Sequence, residues 1–222
     1  MIQLQNVNKV FTDTNHNNFQ ALKDISLAIS PNECVLLHGS SGSGKTTLLH
    51  IIASLMKPSS GLVEVKGENI VSLSDYHASA YRRSTIGYVT QSFYLLDNLS
   101  VEENLLPALV LESLSEKEMA QKIKKALSLA NIEHKAKQKV STLSGGEKQR
   151  CIIARAIVND AEIVLCDEPT ANLDKKNSLF FLGLIQNLKN LRKTILIATH
   201  DPIFEKLECV DKVYNLEGGS LE

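Results

Sequence analysis

The chain has 222 residues, with 24 basic side chains against 25 acidic ones and a net charge of −1, so gripping nucleic acid over a broad charged face is not its main work. No apolar run approaches the 18 or so residues of a membrane span, and residues 1–5 lack the basic start and long apolar core of a secretory signal. Cys34, Cys151, Cys166 and Cys209 stand singly, with no Cys-x-x-Cys pair; this predicts reduced, buried thiols rather than a metal site or a disulfide framework.

In chain order, residues 2–7 and 22–29 alternate apolar and polar, which predicts two half-exposed strands. A Pro31-Asn32 turn leads into Cys34-Val35-Leu36-Leu37-His38, a continuous apolar run suited to a strand covered on both faces. Residues 46–55 read as a helix that stops before Pro58, and 61–67 as an alternating strand closed by a glycine turn. From about 101 to 131 the pattern is helical. Ser115-Glu116-Lys117-Glu118 has the form of a capping box, and Met119, Ile123, Leu127 and Ala130 then recur at helical spacing. This stretch is read as an inserted helical lobe. Strand and helix then alternate: 163–166 strand, 175–191 helix, 194–198 strand, 202–207 helix, 212–216 strand. That order implies an α/β core with a mainly parallel sheet.

The chemistry starts at Gly39-Ser40-Ser41-Gly42-Ser43-Gly44-Lys45-Thr46. The loop follows a buried strand and opens a helix, the context its spacing demands. Its glycines let successive backbone N–H groups turn inward around a β-phosphate at the positive end of a helix. Lys45 can reach the β- and γ-phosphates, and the Thr46 hydroxyl can ligate Mg²⁺. A second apolar strand ends in Asp167-Glu168. Parallel strands deliver their C-terminal ends to one sheet edge, where Asp167 can hold the Mg²⁺ shell and Glu168 can orient or deprotonate water. His200 ends a third such strand and can hydrogen-bond a γ-phosphate. Alone, an acid pair after a strand reads as a solvated turn and a strand-end histidine as structural; the upstream loop reverses both readings. His50 is assigned to packing or to the surface.

Between the loop and the acids lies Leu143-Ser144-Gly145-Gly146-Glu147-Lys148-Gln149-Arg150. With it, the chain resembles the ATP-binding subunits of ABC transporters over essentially its whole length. Residues 39–46 match the Walker A loop, with Thr47 beside it, and Gln91 in Tyr88-Val89-Thr90-Gln91 matches the Q-loop. Residues 143–147 match the signature, and 163–167 match Walker B with Glu168 as the catalytic glutamate. Ala171-Asn172-Leu173-Asp174 matches the D-loop, and His200 the switch histidine. Phe11 falls where the family places an adenine-stacking aromatic, usually Tyr; a core Phe at a strand end is the alternative.

The resemblance implies a P-loop NTPase fold in a single domain over residues 1–222. It has an α/β core with a mainly parallel sheet, an N-terminal antiparallel β-subdomain and an inserted α-helical subdomain. Core and β-subdomain would span about 1–90 and 141–222, the helical subdomain about 92–140. It further implies ATP and Mg²⁺ as cofactors, with Lys45, Gln91, Glu168 and His200 catalytic and Thr46, Gln91 and Asp167 on the metal. ATP would lie on residues 39–47 of one protomer and be covered by Ser144, Gly145, Gly146 and Glu147 of a second copy, in an ATP-dependent homodimer. A membrane permease would dock near the Gln91 loop and helical subdomain, holding the chain on the cytoplasmic face of the cell membrane; no nucleic acid is expected. Asp-Glu-Pro-Thr-Ala-Asn-Leu-Asp and Glu103-Asn104-Leu105-Leu106-Pro107 are similar to the lipoprotein-releasing, macrolide-export and cell-division branch. The alternatives are the ATPase of a solute importer, or a non-transport ABC ATPase of cell-division or DNA-repair type, though no room exists between Gln91 and Leu143 for the long coiled-coil arms of the repair type.

Overall fold

The computed structural model describes residues 1–14, 16–171 and 173–222. Two long strands, β1 (Ile2–Thr12) and β2 (Asn18–Ile29), form an antiparallel pair, and β4 (Ser60–Val65) and β5 (Glu68–Asn69) extend it in the order β2-β1-β4-β5. The second sheet is built on β3 (Cys34–His38), β6 (Ile86–Val89), β7 (Ile163–Asp167), β8 (Thr194–Thr199), β9 (Lys212–Glu217) and β10 (Ser220–Leu221). Its order is β10-β9-β3-β8-β7-β6, parallel throughout except for the β9–β10 edge.

The apolar runs of the central strands have a direct cause in this layering. Along β3, Val35 and Leu37 enter one core while Cys34 and Leu36 enter another; along β8, Leu196 and Ala198 part from Ile195 and Ile197 in the same way. The first core lies under the antiparallel sheet and α1 (Lys45–Ile52); the second is filled by α4 (Glu116–Leu129), α5 (Gly145–Ile157) and α6 (Lys175–Asn190). A strand with an apolar core on each side cannot alternate.

The helical stretch is less continuous than its pattern. Residues 101–105 are turns, and α3 (Leu106–Leu109) is a single turn with Pro107 inside it. Helix α4 starts at the expected capping box, with the Ser115 backbone N–H donating to Glu118 Oε2 at 2.8 Å. Helix α1 stops at Ile52, because Ser54 takes a left-handed φ of 52°. The segment Pro202–Lys206 is a 3₁₀ helix capped by Asp201, not an α-helix. Neither α2 (Asp75–Thr85) nor strand β6 was expected from the pattern. All four cysteines are unpaired and buried. Among the described residues no helix is long and apolar enough to cross a membrane.

Candidate nucleotide-binding site

Three parallel strands stop level with one another at one edge of the sheet, since His38 pairs with Thr199 and Asp167 with Ala198. From the end of β3 the chain enters the loop 39–44, which is pressed against its surroundings. A Cβ on Gly39 would lie 2.2 Å from the Leu216 carbonyl oxygen. One on Gly44 would lie 2.6 Å from the Ala21 carbonyl oxygen, and Gly44 also has φ 107°, so only glycine fits there. Gly44 is the N-cap of α1 and supplies no capping side chain, and no acid lies in the first turn. The positive end of this helix is thus left to an external anion.

Lys45 is only 5% exposed. Its Nζ donates to the carbonyl oxygens of Gly39 (2.6 Å) and Ser40 (2.9 Å), and pairs with Glu168 Oε1 at 3.2 Å. Thr46 Oγ1 donates to Asp167 Oδ1 at 3.1 Å. The Ser43 hydroxyl is buried and has no hydrogen-bond partner among the described residues, which is unusual for a buried polar atom.

Glu168 is held in the left-handed region at φ 43°, with its N–H donating to the Ala198 carbonyl at 2.8 Å. Such strain persists where the surroundings over-determine it. Its Oε2 accepts from the Thr199 hydroxyl (2.9 Å) and the His200 backbone N–H (3.3 Å), while Oε1 lies 3.0 Å from His200 Nδ1. Burial alone would raise this carboxyl, but the hydrogen bonds from His200, Thr199 and Lys45 together outweigh it and hold Glu168 below the usual range. The adjacent Asp167 goes the other way. Burial pushes it up, and the Thr46 hydrogen bond offsets only part. His50 packs nearby, its ring meeting Tyr88 edge-on at 5.8 Å.

A cavity of about 350 Å³ opens over these groups. Of the residues singled out from sequence, Phe11, Ser41, Gly42, Gly44, Lys45, Thr46, Thr47, Gln91, Glu168 and His200 line it. Asp167 sits behind Thr46, and Gly39, Ser40 and Ser43 form the base of the loop. Three contributors were not foreseen: Phe19, Ala21 and the Thr199 hydroxyl. Thr199 had a faint signal, as a polar residue closing an apolar strand.

Ser144, Gly145, Gly146 and Glu147 do not line this cavity. They form the N-terminus of α5, which begins at Gly145. A second capping box sets that start: the Ser144 N–H donates to Glu147 Oε2 at 2.8 Å, and the Glu147 N–H donates to Ser144 Oγ at 3.4 Å. The Ser144 N–H, with smaller help from its hydroxyl and Lys135, keeps the Glu147 carboxyl below the usual range. Gly146 lies against Asn177 near the start of α6, and Asn177 bonds to Asp174 and accepts from Arg150. Of the D-loop match, Ala171, Leu173 and Asp174 precede α6, and Asn172 lies outside the described residues.

A glycine loop cradling a helix start, two acids at strand ends and a Ser-Gly-Gly helix start apart from them define the ATP-binding cassettes. The family model described as ABC transporter matches residues 22–171, and the chain belongs to that family, in the lipoprotein-release and macrolide-export branch. It is 37% identical over 222 residues to the lipoprotein-releasing system ATP-binding protein LolD of Pseudoalteromonas translucida, covering 100% of this chain and 94% of that one. It is 36% identical over 203 residues to the macrolide export ATP-binding/permease protein MacB of Hahella chejuensis, covering 91% of this chain and 31% of that one. Among solved structures, the ATP-binding cassette MJ0796, in a dimeric post-hydrolysis state bound to ADP and Pi, superposes with a TM-score of 0.92. That match is 34% identical and covers 100% of this chain and 97% of the other. The fold is thus that of an ABC ATPase.

Proposed function

We propose that this cassette binds Mg-ATP on residues 39–47, completes the site with Ser144, Gly145, Gly146 and Glu147 of a second copy, and hydrolyses ATP to drive a membrane permease. The observation that carries it is the division of the groups. Lys45, Thr46, Glu168 and His200 meet in one cavity, while the signature residues of the same chain lie outside it. A relative of the same fold, solved as a dimer with ADP and Pi, supports the shared arrangement.

The donor set fits a hard cation, being hydroxyl and carboxylate oxygen, with Thr46 and Asp167 already within 3.1 Å of one another. Thr46, Asp167 and Gln91 would hold Mg²⁺, which would neutralise charge developing on the phosphates. Lys45 would leave Glu168 for the β- and γ-phosphates, removing one of the donors that hold the carboxyl low. Glu168, at the strand end beside His200, would then orient or deprotonate the attacking water. His200, 3.0 Å from Glu168 Oε1, would hydrogen-bond the γ-phosphate, and the uncapped start of α1 would receive the β-phosphate.

A groove of about 370 Å³ beside β6 supports docking by the permease. Arg82, Arg83, Pro107, Leu111 and Arg155 are among its lining residues. Arg155 donates to the carbonyls of Tyr94 and Phe93, in the segment that follows Gln91, and Tyr94, Val110 and Leu111 are largely exposed. Such apolar exposure marks an interaction surface. By likeness to the relatives named above, the permease would be of the lipoprotein-release or macrolide-export type, keeping the chain on the inner face of the cell membrane.

Mixing two dead proteins tests the shared site. Lys45→Ala and Ser144→Arg each disable both sites of a homodimer. In a heterodimer of the two, both defects fall in one site and leave the other intact, so ATPase activity should reappear on mixing. A covalently linked dimer with one wild-type half measures whether a single intact site turns over. If it does and mixing restores nothing while heterodimers form, the shared site is wrong.

A further inference from the structure

The cavity over the phosphate loop has two aromatic side chains at its mouth, and the family pattern accounts for one. Phe11 on β1 and Phe19 on β2 are direct cross-strand partners. Side chains of such partners rise on the same face of a sheet, with Cβ atoms about 5 Å apart. Both line the cavity. Phe11 is 38% exposed and Phe19 63% exposed. A phenylalanine that open to water forgoes the burial that normally stabilises it, and two together make a local apolar ledge.

Lys9 Nζ stands 5.1 Å from the Phe11 ring centroid and is tethered there by donating to the Lys57 carbonyl at 2.9 Å. Lys9 does not line the cavity, whereas Phe11 does. Behind the pair, Ala21 lines the same cavity with only a methyl group, keeping the space between the rings and Lys45 open. A flat, apolar, π-bearing group at the far end of a triphosphate fits this ledge.

We infer that Phe19 is a second nucleobase contact, forming with Phe11 a two-ring ledge on which the purine stacks. This rests on the reading of the cavity as a nucleoside triphosphate site. Both rings offer faces and no hydrogen-bonding edge, so Phe19 adds affinity for the base and nothing for the phosphates.

The full-length chain can be titrated calorimetrically, with Mg²⁺, against adenylyl-imidodiphosphate and against inorganic tripolyphosphate. Phe19→Ala should weaken the nucleotide about fivefold or more, the lower end for loss of a base–aromatic stack, and leave tripolyphosphate affinity unchanged. Phe19→Tyr, which keeps the ring, should bind the nucleotide as the wild type does. Unchanged nucleotide affinity in Phe19→Ala would overturn the inference. So would an equal loss for both ligands, since that marks a residue that only shapes the loop. Wild-type protein that binds neither ligand, or Lys45→Ala that binds both normally, would instead sink the triphosphate site itself, and the ledge with it.

Discussion

Replacing Glu168 by glutamine keeps shape and removes charge, and the hydrogen bonds around this carboxyl predict more than slow turnover. Its two oxygens face four donor groups: Lys45 and His200 Nδ1 on Oε1, the Thr199 hydroxyl and His200 N–H on Oε2. An amide group must therefore point its NH₂ at a donor whichever way it turns. The hydroxyl can rotate and the imidazole can change tautomer, but the ammonium and the backbone N–H cannot. The NH₂ belongs on neither side without loss, and Lys45, 5% exposed, loses the carboxylate 3.2 Å away. At 3.2 Å the gross attraction given up is about 5 kcal/mol at an effective dielectric of 20. Most of that is offset by desolvation, and the amide oxygen still accepts one hydrogen bond, leaving a net effect of about 1 kcal/mol. Nucleotide-free Glu168→Gln should thus melt lower than wild type. It should also bind ATP roughly fivefold to tenfold more tightly, because the triphosphate no longer competes with Glu168 for Lys45 and meets one negative charge fewer. Thermal melting against ATP concentration reads both effects. The sign with pH follows from the depressed carboxyl: its stabilisation is full above the ordinary value of 4.5 and is lost as pH falls through the lower folded value. The stability gap between wild type and variant should close there. An ATP affinity equal to or weaker than that of the wild type would show that the Lys45–Glu168 pair does not oppose binding.

Two other outcomes follow from packing. In Gly87→Ala the new Cβ would sit 2.2 Å from the Ala156 carbonyl oxygen, so β6 and α5 must part; urea unfolding should show a loss of about 3 kcal/mol, as for overpacked cores, and a loss under 1 kcal/mol would mean that the contact is soft. The four thiols are buried, with burial pushing Cys151 up to about 11 and Cys34 and Cys166 higher still. A thiol-exchange reagent should therefore label the native protein slowly and all four cysteines once it is denatured.

The parts legible in the sequence were those where one physical cause dominates. The runs at β3, β7 and β8 are apolar because each strand has a core on both sides, and Ser115 with Glu118 announces a helix start by its spacing. Ser144-Gly145-Gly146-Glu147 carries the same S-x-x-E spacing, and there too it is a capping box, which starts α5 at Gly145. Helix α2 went unread because few of its side chains are buried, among them Ala78, Tyr81 and Thr85, too few to print a periodic stripe. Phe19 was invisible for another reason. Its partner Phe11 is eight residues away, and only the register across the β1–β2 turn brings the two to one cavity.

Adjacent in sequence, Asp167 and Glu168 are pushed in opposite directions, and the backbone explains why. Asp167 completes a regular strand, level with Ala198, and its carboxyl stays in the buried layer with the Thr46 hydroxyl as its hydrogen-bond donor. At Glu168 the chain turns through φ 43° into the end of β8, where hydroxyl, imidazole, amide and ammonium converge. One acid is thereby short of donors, the condition that favours a cation, and the next is saturated with them. On the proposed reading, the phosphates relieve both at once: they bring the cation that Asp167 lacks, and they draw off the ammonium that Glu168 must release to hold a water. On that reading the half-site rests in a network of its own side chains, and the ligand's charge would open it.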